Sequence, residues 1–163
     1  MKEKLYHSLV NCITENQDRF YRLAFSYVQN QEDALDAVQS AVCKALENYE
    51  KLRDEGAVKS WMYKIVVNES LGILREKKRM TVSEDDFLES VPYEESGFEL
   101  PEDLYTHINR LDRDSQDIIK LRFYEELSLL EIAQIMEMNL NTVKSKLYRG
   151  LRTLKVSIEE AGV

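Results

Sequence analysis

Residues 139–155 bring together side chains suited to one kind of binding chemistry. Asn141, Thr142, Ser145, Tyr148, Arg149 and Arg152 sit among Lys144 and Lys146. Amide, hydroxyl and guanidinium groups match the donors and acceptors on base edges, and ammonium groups neutralise phosphates. At 100° per residue, Asn141, Ser145, Tyr148, Arg149 and Arg152 share one side of a helix with Thr142 at its edge. Lys144 and Lys146 flank that face, while Val143, Leu147, Leu151 and Leu154 occupy a narrow arc on the opposite side. Residues 138–157 carry five Lys or Arg and no acid, in a chain of net charge −8. Such a helix could lie in a DNA major groove. The plainer alternative is a solvated basic face on a bundle helix.

The preceding residues predict the element that would position it. Ser128 and Glu131 have capping-box spacing. Leu129, Ile132, Ala133 and Met136 then repeat at helical intervals. Glu137 and Met138 form a turn, and Asn139 is an N-cap for the basic helix. Helix, turn and basic helix together make a helix-turn-helix.

Other chemistry finds little support. Cys12, Cys43, His7 and His107 are isolated, so neither a zinc site nor a disulfide framework follows. No phosphate-cradling Gly-rich motif and no convergent nucleophile, base or metal set is present, so no catalytic residue, cofactor or metal is expected. No apolar run approaches a membrane span and residues 1–10 carry no signal-peptide pattern, so a cytoplasmic location without membrane insertion is expected.

Five Gly, two Pro and 32% charged residues in 163 favour an all-α chain. Its acidity is local: residues 81–104 hold nine acids and no base. The expected organisation is two small helical domains, 1–80 and 101–163, joined by an acidic linker at 81–100. Phe87, Leu88, Val91, Tyr93 and Phe98 could fasten that linker to a domain or a partner. In the first domain, Leu5, Leu9, Val10 and Ile13 mark one helix, and Phe20, Leu23, Ala24, Tyr27 and Val28 mark a second. A third, capped by Asn30, has the predicted stripe Leu35, Val38, Val42, Ala45, Leu46 and Tyr49, with Asp36, Gln39 and Ser40 outside. A fourth spans about 58–78. Val58, Trp61, Met62, Ile65, Val66 and Ile73 face in, Lys59, Tyr63, Lys64 and Asn68 stay accessible, and Arg75, Lys77, Lys78 and Arg79 gather at its end. That surface suits a nucleic-acid backbone with unstacked bases, although cations also favour a helix C-terminus. In the second domain, Pro101 opens a helix bearing Leu104, Ile108 and Leu111. Asp114 can cap the next, whose apolar residues Ile118, Ile119, Leu121 and Phe123 lead to Tyr124.

The whole arrangement resembles the extracytoplasmic-function sigma factors of the sigma-70 family. The resemblance rests on Leu121–Ser128, Glu131-Ile132-Ala133 and Asn141–Arg149 in region 4. In region 2 it rests on Phe20–Ala24, the Asp33/Asp36/Gln39 spacing and the Trp61/Ile65/Asn68 spacing. Among these factors the sequence is similar to the σV-like group of Gram-positive bacteria. The resemblance implies a non-enzymatic transcription initiation factor that binds core RNA polymerase through its β′ clamp helices and β subunit. Asp36 and Gln39 would meet the polymerase. Lys64, Asn68, Arg75, Lys78 and Arg79 would meet the −10 element. Asn141, Thr142, Lys144, Ser145, Lys146, Tyr148, Arg149 and Arg152 would meet the −35 element of promoter DNA. A membrane-linked anti-sigma factor is the further implied partner. Leu35, Val42 and Leu46 depart from the family pattern. Glu137 stands at the usual turn Gly, and because positive φ disfavours a non-Gly residue, an altered turn is expected there. A stand-alone helix-turn-helix regulator, needing only the second domain, is the main alternative. A helical adaptor without DNA contact is another.

Overall fold

The computed structural model describes residues 2–83 and 102–160, and among the described residues it is helical without strands. The first unit consists of α1 (Lys2–Glu15), α2 (Gln17–Val28), α3 (Gln31–Asn48) and α4 (Val58–Ser83). Two 3-10 turns, Tyr49–Lys51 and Glu55–Ala57, connect α3 to α4. The start of α3 is set by Asn30, whose side-chain oxygen accepts the Asp33 N–H at 2.9 Å. Leu5, Leu9 and Ile13 of α1 bury against Phe20, Leu23, Ala24, Tyr27 and Val28 of α2 and Val58, Met62 and Val66 of α4.

Three expectations for this unit are corrected. The buried seam of α3 is Ala34, Ala37, Ala41 and Ala45, while Leu35 is 52% exposed and Leu46 lies at the surface. Short side chains let α3 approach α2 and α4 closely, and the larger leucines are turned outward. Tyr63 is fully buried, not accessible. It packs edge-on to Phe20 with centroids 5.1 Å apart, and its hydroxyl donates to Glu125 Oε1 at 3.2 Å. A buried phenol needs such an acceptor, and this one comes from the other half of the chain. Val10, placed on the α1 stripe, is also exposed.

Helix α4 continues to Ser83, past the expected boundary at residue 80. The acidic stretch with Phe87, Leu88, Val91, Tyr93 and Phe98, and the helix start at Pro101, lie outside the described residues.

The second unit contains α5 (Glu102–Asn109), α6 (Arg113–Ile119), α7 (Leu129–Met136) and α8 (Leu140–Glu160). Helix α6 runs into a π-helical turn, Lys120–Tyr124, closed by the Glu125 N–H on the Lys120 carbonyl at 3.3 Å. Asp112, not Asp114, caps α6 by accepting the Ser115 N–H at 3.2 Å. Asp114 instead pairs with Lys146 across to α8 at 3.4 Å. Phe123 is exposed, because the wider π turn shifts the helical register and puts Lys120 and Leu121 inside. Ile118, Ile119, Ile132, Ile135, Val143, Leu147 and Leu154 form the core of this unit. Gly150 lets α8 cross α6 closely: a Cβ there would meet Ser115 Cβ at 3.1 Å and Ile119 Cδ1 at 3.3 Å.

The two units pack together, with α4 against α7 and α2 against the π turn. Lys120 is completely buried at this junction. Its Nζ donates to the Ser26 carbonyl at 3.0 Å and to Asn109 Oδ1 at 2.9 Å, and lies 3.7 Å from the Tyr27 ring centre. The Tyr27 hydroxyl donates to Asp117. Arg19 and Arg22 donate to the Glu125 and Tyr124 carbonyls at 3.3 and 3.4 Å.

Candidate nucleic-acid interface

The helix-turn-helix is built by local hydrogen bonds that the spacing predicts. The Glu131 N–H donates to Ser128 Oγ at 3.1 Å, and the Ser128 N–H donates to Glu131 Oε1 at 2.9 Å. The latter bond is the main reason that the Glu131 carboxyl is held below its ordinary value. At the other end of α7, the Met138 N–H reaches the Ala133 carbonyl at 3.0 Å and the Glu137 N–H reaches Gln134 at 3.3 Å. This is the Schellman closure, with Glu137 left-handed at φ 57°. The altered turn expected from a non-Gly residue is therefore not present. Glu137 adopts the glycine-like conformation and bears a cost of roughly 1–2 kcal/mol. Asn139 Oδ1 then accepts from Asn141 at 3.0 Å and Thr142 at 3.3 Å, starting α8.

On α8, Asn141, Thr142, Ser145, Lys146 and Arg149 line one shallow groove of about 320 Å³. Lys144, Tyr148 and Arg152 are exposed beside it, and Tyr148 presents a ring that no core demand explains. Lys146 is half-buried by its pairing with Asp114, so it is less free than Lys144.

The face proposed on α4 is divided. Lys64, Asn68, Arg75, Lys78 and Arg79 share an arc of about 100°. Asn68, Arg75, Lys78 and Arg79 are exposed, and Arg79 pairs with Glu76 at 3.2 Å. Nearer the start of α4, the other unit intervenes: Lys64 is bonded to Glu137, Lys59 pairs with Glu131 at 3.4 Å, and Ser60 Oγ donates to Gln134 at 3.2 Å. A cleft of about 340 Å³ beside these pairs is lined by Asp54, Ser60, Trp61, Lys64, Gln134 and Glu137, among others. Sequence reasoning missed these pairings, since no periodic signal links residues more than seventy positions apart.

On α3, Asp36 and Gln39 are exposed on one arc with Leu35, Cys43 and Leu46. Apolar side chains in an exposed polar row are the signal that reading Leu35 as core overlooked. Among the described residues, no group of His, Cys, Asp and Glu is placed to hold a metal, and no helix is long and apolar enough to cross a membrane.

A capped helix-turn-helix with an open cationic face, set beside a second helical unit with its own cationic helix, defines a two-unit all-α transcription factor. The Sigma-70 region 2 family model matches residues 12–80, and the Sigma-70, region 4 model matches residues 102–154. The chain belongs to the sigma-70 family, as one of its extracytoplasmic-function sigma factors. It is 43% identical over 150 residues to the RNA polymerase sigma factor SigV of Bacillus subtilis (strain 168), covering 92% of this chain and 90% of that one. Its fold is similar to the sigma factor RpoE solved in complex with the anti-sigma factor NepR from Bartonella quintana. There the TM-score is 0.66 and the identity 23%, with 97% and 96% of the two chains covered. It is also similar to CnrH in complex with the cytosolic domain of CnrY, with a TM-score of 0.70, 15% identity and 93% and 88% coverage.

Proposed function

We propose that this chain binds core RNA polymerase in the cytoplasm and directs initiation at promoters defined by separate −10 and −35 elements. The observation that carries this reading is the solvent-facing groove of α8, where Asn141, Ser145 and Arg149 converge on a rigidly capped helix. Arg149 and Arg152 would reach base edges, with Asn141, Thr142, Ser145 and Tyr148 beside them and Lys144 and Lys146 on phosphates. Asn68, Arg75, Lys78 and Arg79, with Lys64 once released from Glu137, would hold the unstacked −10 strand. Asp36 and Gln39, flanked by Leu35 and Leu46, form the surface assigned to the polymerase. The proposed division is 1–80, 81–100 and 101–163, although α4 itself runs on to Ser83. The chain itself performs no chemistry, because the polymerase makes the phosphodiester bonds. An anti-sigma factor is proposed as its regulator, supported by the two solved complexes of similar fold.

The test is transcription by core polymerase from templates selected out of a random promoter pool, with and without the chain. Promoter-specific transcripts that require the chain, and are lost in Asp36→Ala/Gln39→Ala, are expected. Absence of any chain-dependent promoter would refute the reading. Tight duplex binding that owes nothing to polymerase would favour a stand-alone regulator.

A further inference from the structure

We infer that the edge formed by Glu131 and Gln134 of α7 and by Glu137 just past its end is an intramolecular latch, which closes the chain on itself and withholds the start of the α4 face from single-stranded nucleic acid. The inference deepens the functional reading and rests on its assignment of α4 to strand binding.

Three observations converge. Glu131 and Gln134 on successive turns of α7, and Glu137 just past its end, face Lys59, Ser60 and Lys64, so α7 and α4 meet through matched polar pairs. Two of the three pairs place a carboxylate on a lysine, the contact that a phosphate would otherwise make. Glu137 is also kept in a left-handed conformation that glycine adopts without strain, and its carboxylate, which glycine would lack, lies on Lys64. An outlier of this kind points to use of the side chain.

The junction behind the latch suits reversible closure. Lys120, Asp117 and Glu125 are buried there and held by Ser26, Asn109, Tyr27 and Tyr63. An interface built on buried charge gains little over its desolvation cost, unlike an apolar core. Meanwhile the α8 groove stays open in the closed chain. The closed form therefore offers its duplex-reading helix while its strand-binding helix is partly covered.

The test uses the full chain carrying Gln134→Ala and Glu137→Asn. Asn tolerates left-handed backbone, so the turn is preserved. Three readouts apply: small-angle scattering, the emission of Trp61, and binding of a fluorescent single-stranded DNA of mixed sequence. Trp61 is the one tryptophan of the chain and lines the cleft beside the latch. The wild type is expected to be compact, with a radius of gyration of about 15 Å. The variant is expected to expand, to shift Trp61 emission to the red and to bind the strand roughly tenfold more tightly, the scale of a few released polar pairs. Adding Asn68→Ala, which changes no charge, should lower that strand affinity without restoring compactness. An expanded wild type, a variant that stays compact, or expansion without gain in strand binding would each overturn the latch. Compactness and Trp61 emission do not depend on promoter recognition. Opening accompanied by strand binding, in a chain that directs no transcription, would support the latch and refute the functional reading alone.

Discussion

Arg149 and Lys146 lie one turn apart on the same groove of α8, yet their surroundings give them different freedom. Lys146 is tied to Asp114, whereas Arg149 is exposed and carries no ion pair among the described residues. A planar guanidinium beside Asn141 and Ser145 can pair bidentately with a base, which an ammonium cannot do. Arg149→Ala should therefore weaken binding of the upstream element by roughly 1–3 kcal/mol and relax preference at one base position. Lys144→Ala should weaken binding evenly across sequences and reduce the salt slope by about one unit. Duplex titrations over a range of salt separate the two, and unchanged base preference in Arg149→Ala would remove it from base reading. These residues were legible in the sequence because one helix places them, and helical periodicity is local. The Tyr63 and Lys120 side chains were not, because their partners Glu125 and Ser26 lie 62 and 94 positions away.

At the scale of elements, two helical glycines show how packing overrides propensity. Alanine is the better helix former at either site by about 1 kcal/mol. At Gly72 of α4, a Cβ would meet only the end of Arg75, at 3.8 Å, so Gly72→Ala should realise that gain. At Gly150 it would press on Ser115 and Ile119 at 3.1–3.3 Å, and overpacking costs typically 1–3 kcal/mol. Gly150→Ala should thus lower the melting temperature and weaken duplex binding as α8 shifts off α6, while Gly72→Ala raises it. Thermal unfolding of both variants checks the opposite signs. The same competition limits what sequence could tell of the elements. The stripes of α2, α7 and α8 and the caps at Asn30 and Ser128 were readable because hydrophobicity and capping agree there. The α3 seam was not, since alanine carries a weak hydrophobic signal beside Leu35 and Leu46. Nor was the exposure of Phe123, since a π turn breaks the helical period around it.

For the whole molecule, closure should respond to pH through the charges it buries. Glu125 is enclosed by α2, α4 and the π turn, with Arg22 Nε 3.8 Å away, the Tyr63 hydroxyl donating to it, and Arg19 and Glu126 nearby. Burial, opposed first by Arg22, pushes its carboxyl up from 4.5 to about 7. Asp117 accepts from Tyr27 with Arg113, Lys120 and Asp114 around it, and burial raises it from 3.8 to about 6. Separating the units should return both carboxyls toward their ordinary values. Closing therefore takes up protons, and this contribution to closure is present in acid and lost as pH rises through about 6–7. Lys120 has the opposite sign: burial draws it down from 10.5 to about 7, against the pull of Asp117 and reinforced by Arg113. Closing sheds a proton between those values, so closure strengthens again as pH rises above about 7. Closure should be weakest near neutrality and stronger on either side, as read by the ease with which denaturant separates the units, followed by scattering and Trp61 emission across the pH range. Glu125→Gln keeps a hydrogen-bond acceptor for Tyr63 but cannot titrate, so it should diminish the acid limb and leave the alkaline one. Lys120→Met should do the reverse. A profile that is flat through neutrality in the wild type would show that these groups do not exchange with solvent when the chain opens.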